Sequence, residues 1–253
     1  MLKESRAGDS SERRIFEFEA KIGKEMHHRN LVPVYDYFRD AHPPYFVMEF
    51  FNGQHLKLPI ARPSMYPLPT AQHHKIIEQI ATGLSHLHAK GWVHRDVKPE
   101  NVLFNKSGEV KVIDYGFALR PFSGLAKLFK KKAPVQGTSS YMAPEQIRGQ
   151  SPEFTADIYS FGITCYELTC GRPPFRGNSQ SELLNKHIKE RPAPLTMHNK
   201  DITSEFNDLI LKTIQKNPAD RVASFDEFLV ALSRIRVHKT DPVLEPSRQS
   251  MGI

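Results

Sequence analysis

GWVHRDVKPENVLFN, residues 91–105, packs His94, Arg95, Asp96, Lys98, Glu100 and Asn101 into one polar run between two apolar segments. Upstream, AQHHKIIEQIATGLSHLHAKG carries Ile76, Ile77, Ile80, Leu84 and Leu87 at the spacing of one helical face, with Gly91 placed to close the helix. Downstream, NVLFN and VKVIDYG read as two short strands around the turn KSGE. The polar run is therefore a loop between a buried helix and a strand, and a second strand ends at Asp114.

A loop entering one strand and a carboxylate leaving the next can converge on one site. Phosphoryl transfer asks for that convergence: a carboxylate to orient and deprotonate a hydroxyl, oxygen ligands for magnesium, and a cation near the moving phosphoryl group. Asp96, the pair Asn101 and Asp114, and Lys98 supply these groups in order. Taken singly, each fits a solvated turn, because Asp, Pro and Asn favour turns. The ordered set does not.

The rest of the chain bounds the fold. Its 253 residues can bury a full core, and 39% hydrophobic with 25% charged residues is ordinary for a soluble globular protein. A formal charge of +7 suits an anionic ligand or an acidic partner surface. Cys165 and Cys170 fall in one expected helix, so a disulfide framework is not expected and a reducing, cytoplasmic setting is. No run of about 18 apolar residues predicts a membrane span, and MLKESRAGDSSERR lacks the apolar core of a secretory signal.

SSERRIFEFEAKIGKEMHH predicts a helix with Ile15, Phe18, Ile22 and Met26 on one stripe and Ser10 or Ser11 as N-cap. NLVPVYDYF and PYFVMEFF predict two strands around RDAHPP. After Pro152 the pattern is helical in TADIYSFGITCYELTCG, NSQSELLNKHIKE, SEFNDLILKTIQK and SFDEFLVALSRIR. Residues 237–253 lack periodicity and are expected to be disordered. The histidine pairs 27–28, 73–74 and 86 with 88 sit at helix spacings that do not share a face, so no structural metal is assigned to them.

HRDVKPEN closely resembles the catalytic loop of eukaryotic-type (Hanks-type) serine/threonine protein kinases. DYG at 114–116 resembles the family's D-F-G, APE at 143–145 its A-P-E, and DIYSFG at 157–162 the start of its central helix. The resemblance covers about residues 10–235. It implies an α+β, two-lobe kinase fold: a partial, truncated N-terminal lobe over 1–51 and a mainly helical C-terminal lobe over 52–236.

By this resemblance Asp96 is the catalytic base, Asn101 and Asp114 hold magnesium, and Lys98 contacts the transferred phosphate. Thr138 belongs to the substrate-docking loop, and Glu145 pairs with Arg221. Met48 takes the gatekeeper position, the backbone of Glu49 and Phe51 meets the adenine edge, Leu103 packs beneath the ring, and Glu19 is the glutamate of the regulatory helix. His94 is the buried scaffold histidine, and Arg95 awaits a phosphate on the segment between Asp114 and Glu145. Ser123, Thr138, Ser139 and Ser140 are available there, and Ser139 or Ser140 are favoured because Thr138 has the docking role. KLFKKK at 127–132 offers an attraction for acidic partners.

Two expected parts are missing. None of the fourteen glycines are spaced as G-x-G-x-x-G. No strand carrying the V-A-I-K lysine is expected either, leaving Lys3 as a poor substitute partner for Glu19. The implied activity is ATP- and magnesium-dependent phosphorylation of protein serine or threonine, with self-association for autophosphorylation, no nucleic-acid partner and no membrane span. A pseudokinase or truncated scaffold is the alternative.

Overall fold

The computed structural model describes residues 1–4, 10–121, 137–151 and 153–242, the side chains of 10–12 excepted. Ser123, the basic run 127–132 and the end of the tail from 243 lie outside the described residues, as do the capping side chains of Ser10 and Ser11.

The first layer is a three-stranded antiparallel sheet under one helix. Strands β1 (Leu2–Glu4), β2 (Val34–Phe38) and β3 (Tyr45–Met48) run in the order β1-β3-β2, with Lys3 opposite Phe46 and a bulge between Val34 and Asp36. Helix α1 (Ser10–Glu25) lies on this sheet. Phe16 and Ala20 join Val34 and Phe46 in a small separate core. Ile22 and Met26 instead enter the main core. The expected stripe therefore splits: Ile22 and Met26 are buried, Phe18 packs partly, and Ile15 is exposed because Phe16 takes the sheet-facing position.

β1 corrects the expectation that no strand carries Lys3. Three residues are too few to show alternation, and their extended state comes from the hydrogen-bond ladder with β3, more than forty residues away.

A second antiparallel sheet, β4 (Gln54–His55), β5 (Val102–Phe104) and β6 (Val110–Val112), sits on the helical layer. That layer comprises α2 (Lys57–Ala61), α3 (His73–Ala89), α4 (Pro144–Ile147), α5 (Phe154–Cys170), α6 (Gln180–Lys189), α7 (Ser204–Thr213) and α8 (Phe225–Leu232). All five apolar residues expected on the inner face of α3 are fully buried. Gly91 follows its last turn at φ +81°, a conformation that favours glycine.

α5 is buried along almost its whole length, the mark of a core helix. Gly162 lets it meet α7: a methyl group there would overlap Thr213 Oγ1. Ser179, Thr203 and Ser224 each accept the N–H three residues on, so α6, α7 and α8 begin where their side-chain caps place them.

The tail is ordered further than expected. Val237 and His238 are buried, the Thr203 N–H donates to Val237 O (3.1 Å) and the Lys239 N–H to Asp201 O (2.7 Å). A single bridge to residues 201–203 leaves no periodic trace in the sequence. No helix of the described residues is long and apolar enough to cross a membrane.

Candidate active site

The 94–101 loop is shaped from below by Asp157, in the first turn of α5. Its two carboxylate oxygens accept the His94 N–H (2.7 Å) and the Arg95 N–H (2.8 Å), and His88 Nε2 lies 2.8 Å from the first of these oxygens. Two successive N–H groups bound by one carboxylate turn the chain sharply, and Arg95 sits at φ +70°. A non-glycine residue holds that conformation only where its surroundings over-determine it. Asp157 is fully buried. As a single residue it escaped the sequence reading; its signal was an acid opening an otherwise apolar helix in DIYSFG.

His94 then joins two ends of the site. Its Nε2 is 3.2 Å from Ile113 O, which fixes the ring proton there, and Nδ1 accepts the Asp96 N–H (3.3 Å). The Ile113 N–H donates to Asn101 O (3.0 Å). Asp114, next along, also sits at φ +70°. These bonds bring the chain before Asp114 beside Asp96 and Asn101, the convergence that the spacing predicts.

The Asp96 carboxylate is crowded with donors. Lys98 Nζ (2.6 Å) and Asn101 Nδ2 (3.0 Å) reach Oδ2, while the Thr138 N–H (3.1 Å) and hydroxyl (3.0 Å) reach Oδ1. Lys98 Nζ also donates to Thr138 Oγ1 (2.7 Å). Burial alone would raise the Asp96 carboxyl; the Lys98 ammonium and the Thr138 bond outweigh it and hold the group below its ordinary value. It is ionised at neutral pH.

Asn101 Nδ2 also donates to Asp96 O (2.8 Å). Both of its partners are acceptors, so the amide is oriented and Oδ1 is left for a cation. A side-chain carbonyl and the Asp114 carboxylate are hard oxygen ligands of the kind magnesium takes, and the residues present fit that ion.

Tyr115 stands where the resembled family has phenylalanine. Its ring is buried, and its hydroxyl donates to Val32 O (3.1 Å), with Val112 O at 3.4 Å. Burial raises the phenol well above its ordinary value, so it remains a donor. The added oxygen is satisfied rather than stranded.

Lys3 Nζ lies 2.6 and 2.7 Å from the two oxygens of Glu19. Burial raises the Glu19 carboxyl, Lys3 opposes that rise, and the charge of Asp114 adds to it. Glu19 and Asp114 therefore share one electrostatic neighbourhood. A methyl group on Gly116 would stand 3.3 Å from Asp114 Oδ1 and 3.9 Å from Glu19 Oε2. Lys3, set aside on sequence grounds, is the cation that faces Glu19.

At the connection between the layers, the Glu49 N–H is taken by Pro33 O (3.1 Å) and its carboxylate by Lys111 (2.6 Å). The Glu49 carbonyl and the Phe51 N–H have no protein partner among the described residues. Met48 and Leu103 are half-buried on β3 and β5. In the helical layer, Arg221 forks onto Glu145 at 2.7 and 2.8 Å, both side chains buried.

The protein kinase domain family model matches residues 1–230, and the chain belongs to that family. It is similar to the serine/threonine-protein kinase PknB of Mycolicibacterium smegmatis, 34% identical over 243 residues, which cover 94% of this chain and 38% of that protein. It is 32% identical to PknB of Mycobacterium tuberculosis H37Rv over 97% of this chain and 39% of that protein. With the serine/threonine-protein kinase pkn3 of Myxococcus xanthus it shares 34% over 89% and 43%. The chain thus spans less than half the length of these relatives.

Proposed function

We propose that this chain transfers the γ-phosphoryl group of ATP to serine or threonine hydroxyls of proteins. The observation that carries this reading is the Asp96 carboxylate, ionised and gripped by Lys98, Asn101 and Thr138. The incoming hydroxyl docks against Asp96 and its oxygen attacks the γ-phosphorus. The bond to the β-phosphate oxygen breaks, ADP leaves, and the hydroxyl proton passes to the Asp96 carboxylate. Lys98 offsets charge on the moving group and Lys3, held by Glu19, meets the other phosphates. Magnesium, held by Asn101 Oδ1 and Asp114, supplies charge neutralisation for the nucleotide. The Glu49 carbonyl and Phe51 N–H meet the adenine edge between Met48 and Leu103.

Serine/threonine preference is supported by Lys98 two residues after Asp96 and by GTSSYMAPE. Arg95 and phosphate on Ser139 or Ser140, added through self-association, form the activating contact, and a cytoplasmic location accords with two free thiols. A kinase-fold scaffold that binds without turnover is the second reading. Purified protein incubated with radiolabelled ATP, magnesium and a mixed protein substrate, beside Asp96→Ala, decides between them. Label on phosphoserine or phosphothreonine in the native protein alone supports the enzyme; equal label in both removes it.

A further inference from the structure

The chain has one tryptophan, and it lies where three parts of the molecule meet. Val93 and Leu119 form an isolated antiparallel bridge with both bonds made, Val93 N–H to Leu119 O (2.8 Å) and Leu119 N–H to Val93 O (2.9 Å). In such a pair the next residues outward, Trp92 and Arg120, stand opposite each other on one face. The Arg120 guanidinium accordingly lies over the indole, 4.6 Å from its ring.

The other neighbours of this pair belong to α1. Trp92 Nε1 donates to Glu25 Oε2 (3.1 Å), and Arg120 Nη2 approaches the same oxygen at 3.6 Å. The Phe18 ring meets the indole edge-on at 5.7 Å. Phe18 and Glu25 are seven residues apart, two helical turns, so the indole touches the same side of α1 at both levels. Glu19, which meets Lys3, directly follows Phe18. An exposed Arg–Glu pair at 3.6 Å would count for little by itself. Here the carboxylate also accepts from a buried indole and the cation covers that indole, so three groups are fixed together.

We propose that Arg120 is a positioning residue: with Trp92 it holds Glu25, and so fixes α1 in the pose where Glu19 meets Lys3. Arg120, six residues after Asp114, thereby ties the start of that segment to α1. Displacing Leu119 and Arg120 from Val93 uncovers the indole and frees the end of α1. The effect on nucleotide use rests on the kinase reading above; the effect on α1 does not.

The test compares native protein with Arg120→Ala and Arg120→Lys by three measurements. These are acrylamide quenching of the single tryptophan, amide hydrogen exchange across residues 13–25, and kcat/KM for ATP. Arg120→Ala is expected to quench more readily, to exchange faster through α1 with exchange elsewhere unchanged, and to lose about 2–5-fold in kcat/KM, the scale of a partly exposed cation over an indole. Arg120→Lys, which keeps a cation for both ring and carboxylate, restores most of each. Greater quenching with unchanged α1 exchange would overturn the proposal, leaving Arg120 a mere cover on the indole, and so would no change at all. If the native protein proves inactive, quenching and exchange still decide the α1 claim while the kinase reading fails separately.

Discussion

Two ion pairs of similar length, Arg221–Glu145 and Lys3–Glu19, lie in unlike surroundings. In the large lobe, Arg221 forks onto Glu145 with its own side chain fully buried. In the small lobe, Lys3 meets Glu19 with its side chain 40% exposed. The first pair sits beside a core that includes α3, α5, α7 and α8, while the second borders a core of four buried residues. The large lobe is a platform that fixes the 94–101 loop through Asp157. The small lobe takes its geometry from contacts distant in sequence: the β1–β3 ladder, Lys3 to Glu19, and Trp92 to α1.

Breaking the buried pair should have the largest effect on stability. Glu145→Ala strands a guanidinium in the interior and is expected to cost about 3–5 kcal/mol, read as a lowered midpoint in urea unfolding. The next largest effect is acid loss. Burial holds His73 and His187, both in the large lobe, at about 3 when folded against 6.5. Below 6.5 the unfolded chain binds these protons and the folded one does not, so stability falls as pH drops from about 6.5 toward 3. At pH 5 each contributes a loss of up to about 2 kcal/mol, seen as a drop in melting temperature from pH 7 that His187→Gln lessens.

Tyr115→Phe, which leaves Val32 O without its donor, should cost about 1–1.5 kcal/mol. Lys3→Ala is expected to cost least, about 1 kcal/mol or below, because Lys3 is 40% exposed and Glu19, its carboxyl already raised by burial, takes up a proton in its place. Its signature lies elsewhere: kcat/KM for ATP should fall on the order of 10²-fold, the scale of one lost electrostatic stabiliser. A stability loss matching that of Glu145→Ala, with turnover intact, would reverse the contrast between the lobes.

The same contrast explains what the sequence made legible. α3 announces itself by apolar spacing, and α5 to α8 by a helical pattern, because their causes are local. The Asp96–Asn101 loop was legible because its groups fall within six residues. Lys3 was not, since its strand exists only through β3, and residues 237–242 were not, since their order comes from residues 201–203. Asp157 acts on a loop 62 and 63 residues earlier, so the acid that opens DIYSFG marks itself as unusual but not which segment's backbone it turns.

The central claim is that Asp96 and Asp114 act at one site, and a double-mutant cycle in turnover tests it most directly. Phosphate transfer is measured for native protein, Asp96→Asn, Asp114→Asn and the double variant, each first shown to unfold at the native temperature. Groups that serve one transition state are strongly non-additive, so the double variant should lose little more than the worse single one. A double loss equal to the product of the two single losses would mean independent sites and contradict the account.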